Sequence, residues 1–571
     1  MGFAGLGRRG AAATGCLALL VAGAVPAAGT AANTAKNFTL VGHDPLFNRG
    51  MNAAIAVYGH YVYVGSRTDG EPNHGIHTGV LVVDATDPAN LKDVGEITLA
   101  SVDPHMQVGY TSRELRVWPQ QKVLMVMYFA CSAVLHDCLT STGDTGLVDD
   151  YMRIAFFDLS DPANPRLISS FRPPSTDLVL RATGTTVLSI PTIPHEMFLW
   201  VDPKDPSRRA LLYWTSPNTT TAMLNVTDIS GWRQGQFPAL GKLDISGNIN
   251  AALAAAKDTN SYDVRLHSLS VSPDGKVAYL AHLGGGFLMM DSADFASGAA
   301  KPLFRFITPA ANRVYWDNQG AHSAVKVPSK PYVVTTEEIY GKDGAVGAAE
   351  GSFALSGCPW GWVRIIDIRD PTRPRLASEY RIDENKLSCP AQTDAGYATF
   401  AAEDNYSSYA SHNPTVLPDV ALVTWHSGGL QAIDLSDPVH PTQAGFYLPS
   451  PELYDVSQDP VLEVGSDNVI AWSYPIISGG LIYYSDIRNG LYVVRYTGPA
   501  AAEVAGVSFL EGNSNVGDAA RLEAGVAPTA SPSPRLLPNT VSGAGPGGFW
   551  PLALLVALML AGGVAARRRA D

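Results

Sequence analysis

One short pattern constrains this chain more than anything else in it: a run of apolar residues, an Asp, two residues, then Asp-Pro. It stands as Val82-Val83-Asp84-Ala85-Thr86-Asp87-Pro88 and again as Phe156-Phe157-Asp158-Leu159-Ser160-Asp161-Pro162. It returns at Asp367-Ile368-Arg369-Asp370-Pro371 and at Asp434-Leu435-Ser436-Asp437-Pro438. Weaker copies are Asn225-Val226-Thr227-Asp228 and Asp291-Ser292-Ala293-Asp294, while Leu491-Tyr492-Val493-Val494-Arg495 keeps the apolar run without the Asp. Anchored at residues 84, 158, 225, 291, 367, 434 and 495, the copies lie 61 to 76 residues apart. Such a period marks a repeat architecture, in which no unit can bury its apolar face alone.

Each copy sits in one frame. An apolar stretch such as Ser268–Val271 leads through the turn Pro273-Asp274-Gly275-Lys276 into a second strand, Val277–Leu280. The strand carrying the pattern follows, its Asp-Pro chemistry suits a tight turn, and a fourth strand such as Arg375-Leu376-Ala377 completes the unit. Four short strands repeated seven times predict an all-β fold, a seven-bladed β-propeller. A stacked solenoid would need much shorter repeats. The seventh unit stops after its third strand, near Tyr496, and Phe38-Thr39-Leu40-Val41-Gly42 has the character of the missing fourth. Closing the ring with this N-terminal strand removes an exposed edge. Over residues 38–498 the repeats resemble the LVIVD-repeat family of exported bacterial propellers. That resemblance implies an architecture and an exported location, and no particular reaction.

The termini read as targeting segments. Arg8 and Arg9 precede an apolar run from about Ala11 to Val25 and small residues near Ala27–Ala32, so residues 1–32 are expected to be a signal peptide. The propeller ectodomain is expected over 33–500, and a flexible stalk over 501–548, of which 525–548 is rich in Pro, Ala, Ser and Gly. The uncharged run 549–566 is long enough to span a membrane, and Arg567–Arg569 place the tail 567–571 in the cytoplasm. Leu537-Pro538-Asn539-Thr540-Val541 is similar to a cell-wall sorting signal, with Val541 in place of its Gly. The expected location is the outer face of the cell membrane or the cell wall. Net charge of −13 and the lack of a basic stripe argue against nucleic acid as a partner. Of the cysteines, Cys131, Cys138, Cys358 and Cys389 remain after cleavage; an exported chain favours disulfides, Cys131 with Cys138 and Cys358 with Cys389, over thiolate metal ligands.

Two observations bear on function. Insertions near 129–151, 172–194, 244–266, 341–361 and 383–411 all fall on the face of the disc that carries the second-to-third loops and the blade links, which points to a binding face for a surface ligand or protein. On the same face, the residues opening the first strands are Asn52 (or Ala53), Arg113, His195, His267, His322, His412 and Trp472. The first strand is innermost in a propeller, so four imidazoles converge on the central channel. Four His without a carboxylate suit copper, iron or zinc. Glu196, Glu337, His282 and His426 are candidate supporting partners, and Arg113 a partner for an anion. A structural histidine bonded to neighbouring backbone would recur at the same phase. Two readings follow: a binding or scaffold propeller, and a metal-dependent oxidase-type enzyme with the same scaffold.

Overall fold

In the computed structural model, the described residues are 33–526 apart from 68–76, 105, 107–109, 131–151, 174–175, 181–184, 191–193, 219–220, 246, 249–265, 284, 316–320, 339–360, 387–408 and 451–468. The expected signal peptide, the four cysteines, the sorting-like motif and the apolar run 549–566 lie outside them, as do most of the insertions. Among the described residues no helix is long and apolar enough to cross a membrane.

Seven antiparallel sheets of at least four strands form the blades of a propeller. The third strands are Val80–Asp84, Arg153–Asp158, Thr221–Asp228, Gly286–Asp291, Val363–Asp367, Leu430–Asp434 and Gly490–Tyr496, one on each repeat of the sequence pattern. The pattern has a local cause. The first Asp accepts the N–H two residues on, at Thr86, Arg369 and Ser436 over 2.8–2.9 Å. The second Asp repeats the device at Ala89, Ala163, Thr372 and Val439. Both are Asx turns. The Pro carbonyl then docks on the preceding blade: Tyr63 Oη donates to Pro162, Thr308 Oγ1 to Pro371 and Ser378 Oγ to Pro438. In the third unit the capping residue is Asp228, which bonds Ser230 N at 2.8 Å, so that copy aligns on Asp228 and not on Asn225.

Burial on both faces explains why these strands read as apolar runs. In blade 1, Val62 and Val64 pack with Ile476, Tyr483 and Val493 of blade 7, while Tyr63 between them packs with Leu115 and Phe157 of blade 2. Seven such clusters fill the seven blade interfaces. Closure follows the expected route. Phe38–Asp44 pairs antiparallel with Gly490–Tyr496 as the outer strand of blade 7, and Thr34–Lys36 goes on to the outer edge of blade 6.

The C-terminal boundary is different. Residues 501–526, expected in the stalk, are packed against the propeller. Phe509–Leu510 pairs with the inner strand Ile476–Ser478. Asn515 bonds Val201 N and O through its side-chain amide, at 2.7 and 2.8 Å. Lys326 meets Glu523 at 2.7 Å, and Leu510, Val516 and Leu522 are buried. This segment covers the face of the first-to-second strand turns, touching blades 3, 4, 5, 6 and 7. Burial of those three side chains contributes about 1.5–3 kcal/mol each. A chain ended after Ser508 is therefore expected to show a lower Tm than the full chain in a thermal melt; an unchanged Tm would count against a structural role for 509–526.

Candidate metal centre

Three features of the repeat aim side chains into the channel. Pairing of the first two strands skips Arg113, His267 and His322, so each is the extra residue of a β-bulge, a device that redirects a side chain. His195 and His412 stand just before their strands and pair through N–H to Thr215 and Thr424 carbonyls. Finally, a hydroxyl on one blade donates to the backbone carbonyl of the site residue in the next. Thr215 Oγ1 bonds His267 O at 2.7 Å, Thr336 bonds His412 O, Thr424 bonds Trp472 O at 3.2 Å, and Ser485 bonds Ala53 O at 2.5 Å.

Glu338 stands at the centre of what these features assemble. Its carboxylate lies 3.3 Å from His412 Nε2, 3.4 Å from His322 Nε2, 3.7 Å from His267 Nε2 and 4.0 Å from His426 Nε2. These separations are longer than good hydrogen bonds. The two shortest match two ligands of one tetrahedral ion, which at metal distances of about 2.0–2.1 Å stand about 3.4 Å apart. His195 joins the edge of the ring, its Nε2 2.9 Å from His267 Nε2, with Glu196 nearby.

Hydrogen bonds fix which imidazole nitrogen carries the proton. His412 Nδ1 donates to Trp472 O at 2.6 Å, and its Nε2 faces Glu338. Asn413 Nδ2 donates to the same carbonyl, so Asn413 Oδ1 must accept from Ser323 Oγ. Ser323 Oγ therefore accepts from His322 Nδ1, at 2.8 Å, and in the neutral ring His322 Nε2 is a lone pair. It is buried and makes no hydrogen bond. Burial, then the neighbouring imidazoles, hold His267 and His322 well below their ordinary values, and burial followed by His412 pushes His426 down to about 3. Burial works to raise Glu338, but His322 and His412 hold it well below the usual carboxylate range. The Glu338 carboxylate is thus buried among imidazoles and held there by positive charge, which a cation bound between them would also supply.

Of the expected ligands, His267, His322 and His412 come together, and His195 touches them through His267. His426, expected in support, is in the ring itself. The expectation of imidazoles without a carboxylate is corrected by Glu338. Glu337, one residue earlier on alternating strand geometry, points away from it and pairs with Arg364. His282 accepts Gly285 N–H at 2.9 Å inside its own blade and belongs to no cluster of potential ligands among the described residues. Alignment on the latching hydroxyls would have found the carboxylate, because Glu338 follows Thr336 by two residues as His426 follows Thr424.

A model of the LVIVD repeat matches residues 49–71, the end of the blade-1 approach and its first two strands. The chain carries the LVIVD repeat. The repeat and the seven-bladed fold together fit the LVIVD-repeat propellers. No curated protein matches the sequence. Among solved structures, the chain is similar to a hypothetical selenium-binding protein from Sulfolobus tokodaii, at 14% identity and a TM-score of 0.35, over 57% of this chain and 64% of that one. The match thus spans less than two thirds of that protein. It is also similar to a protein from Lactobacillus plantarum (9% identity, TM-score 0.37, 70% of this chain and 88% of that one). A chain of the mitotic checkpoint complex matches at 8% identity and a TM-score of 0.38, over 82% of this chain and 96% of that one.

The latch at His267 is open to test. Thr215→Val removes the hydroxyl and strands a buried carbonyl. Stability is expected to fall by about 1–3 kcal/mol in chemical denaturation. A variant as stable as the parent would show that the bond does not hold His267 in place.

Proposed function

We propose that this LVIVD-repeat propeller is a transition-metal protein, with copper, iron or zinc held in the channel by His267, His322, His412 and Glu338, and with His426 and His195 beside them. The observation that carries the reading is the Glu338 carboxylate enclosed by imidazole Nε2 atoms, those of His322 and His412 at the spacing of shared ligands. Imidazole with one carboxylate suits these metals better than calcium or magnesium, which take oxygen donors. All of the imidazole donors come from blades 3 to 6. The other side of the channel, from blades 7, 1 and 2, is left for a substrate, and a bound copper or iron would there supply oxidase-type chemistry. This makes the protein a metal-dependent module, whose attachment to the cell surface is a further part of the proposal, motivated by the C-terminal apolar run and its basic tail.

Metal content tests the reading. The full chain, equilibrated with copper, iron or zinc and then dialysed, is expected to keep one of them stoichiometrically. Glu338→Gln preserves the shape of the site and removes its charge, and His322→Ala removes a donor. Each is expected to weaken metal binding by at least about tenfold while the fold persists, as read by circular dichroism. A full chain that retains none of the three, or variants that retain metal as well as the parent, would end the proposal.

A further inference from the structure

The two oxygens of the Glu338 carboxylate face different imidazoles. Oε2 lies 3.4 Å from His322 Nε2 and 3.7 Å from His267 Nε2. Oε1 lies 3.3 Å from His412 Nε2 and 4.0 Å from His426 Nε2. The same division appears among the potential ligand atoms. Glu338 with His267 and His322 forms one group, Glu338 with His412 and His426 another, each with its atoms within 4.8 Å of one another. Ligands held by one ion at about 2.0–2.1 Å stand about 2.9 Å apart at a right angle and about 4.1 Å apart when opposite. All four separations fall in that range. The division also follows the blades. His267 and His322 are the bulge residues of blades 4 and 5, while His412 and His426 flank the first two strands of blade 6, Pro414–Val416 and Val420–Thr424.

We infer that the centre holds a pair of transition-metal ions bridged by Glu338, one on Oε2 with His267 and His322, the other on Oε1 with His412 and His426. This rests on the metal reading above and divides its ligands between the ions. Ligand number is the reason. A tetrahedral ion takes four donors. The Nε2 atoms of His267, His322, His412 and His426 surround the carboxylate, and His195 Nε2 stands 2.9 Å from that of His267. These are more donors than one such ion uses. A single ion on the Oε1 side would also leave His322 Nε2 buried without a hydrogen bond, a cost that a second ion on Oε2 removes. Two-metal centres hold their ions about 3.5–4 Å apart, a span that the two oxygens of one carboxylate bridge. Each ion then has three of these protein ligands and an open position, the pattern of catalytic sites and not of closed structural ones. His195 and Glu196 group with His267, on the side of the Oε2 ion.

Counting the metal tests this. The full chain, stripped with a chelator, equilibrated with Cu(II) and dialysed, is expected to hold two copper ions per chain by atomic emission. Two Cu(II) ions joined by one carboxylate couple magnetically. The electron paramagnetic resonance signal is therefore expected to integrate to fewer spins than the copper present. His267→Ala and His426→Ala each remove a donor from a different ion. Each variant is expected to keep one copper per chain, with its spin fully recovered and the circular dichroism of the parent. The count is repeated with zinc and Fe(II), and whichever metal the chain keeps is expected at two per chain. One ion per chain in the parent, two copper ions whose spins integrate fully, or two ions retained in both variants would overturn the inference and leave the metal reading standing. A chain that keeps none of the three metals ends the metal reading and this inference with it.

Discussion

The arrangement of the channel depends on one recurring hydrogen bond, from a Thr or Ser hydroxyl near the end of a second strand to the carbonyl of the first-strand residue in the next blade. A propeller blade is joined to its neighbours chiefly by apolar packing, which is strong but non-directional. Packing alone sets the blades side by side without fixing how far each inner strand slides along the channel. The bonds Thr215 to His267, Thr424 to Trp472 and Ser485 to Ala53 add that directional constraint at the residues that face the axis. Because the carbonyl is held, the side chain of the same residue is aimed. The bulges at Arg113, His267 and His322 then turn those side chains inward.

Much of the fold was legible in the sequence because its signals are local. Asx turns and apolar runs are properties of a few consecutive residues, so every third strand fell where the repeat pattern stands, and the closing strand Phe38–Asp44 was visible as the one copy missing from the end. The third unit was read three residues early because Asp228 carries the turn there while Asn225 sits inside the strand. The segment 501–526 was less legible. It stands before the Pro-rich spacer and lacks the Asp-Pro pattern, and its apolar residues, among them Val504, Val507, Leu510, Val516 and Leu522, lack the strand periodicity that marks the blades.

The candidate site was half legible for a related reason. A column of histidines at one repeat phase shows in an alignment of first strands. Glu338 does not, since strand alternation decides whether it or Glu337 faces the axis, and a one-residue slip exchanges them. The neighbour that was named, Glu337, is instead tied to Arg364 on the other side of the strand. Bulges hide in the same way, because an inserted residue leaves no mark on the apolar pattern around it.

Circular symmetry gives every blade the same two positions facing the axis, and the chain fills them unevenly: imidazole and carboxylate across blades 3 to 6, Trp472 in blade 7, guanidinium in blades 1 and 2. A symmetrical ring of donors would satisfy an ion completely. An uneven one leaves a side on which something else can bind. The most direct measurement is anomalous diffraction from crystals of the copper-supplemented full chain, recorded on either side of the copper edge. Anomalous peaks within about 2.0–2.2 Å of Glu338 and of the Nε2 atoms of His267, His322 and His412 are the result expected. An ordered channel with no such peak, and His322 Nε2 bonded to protein or water, would contradict it.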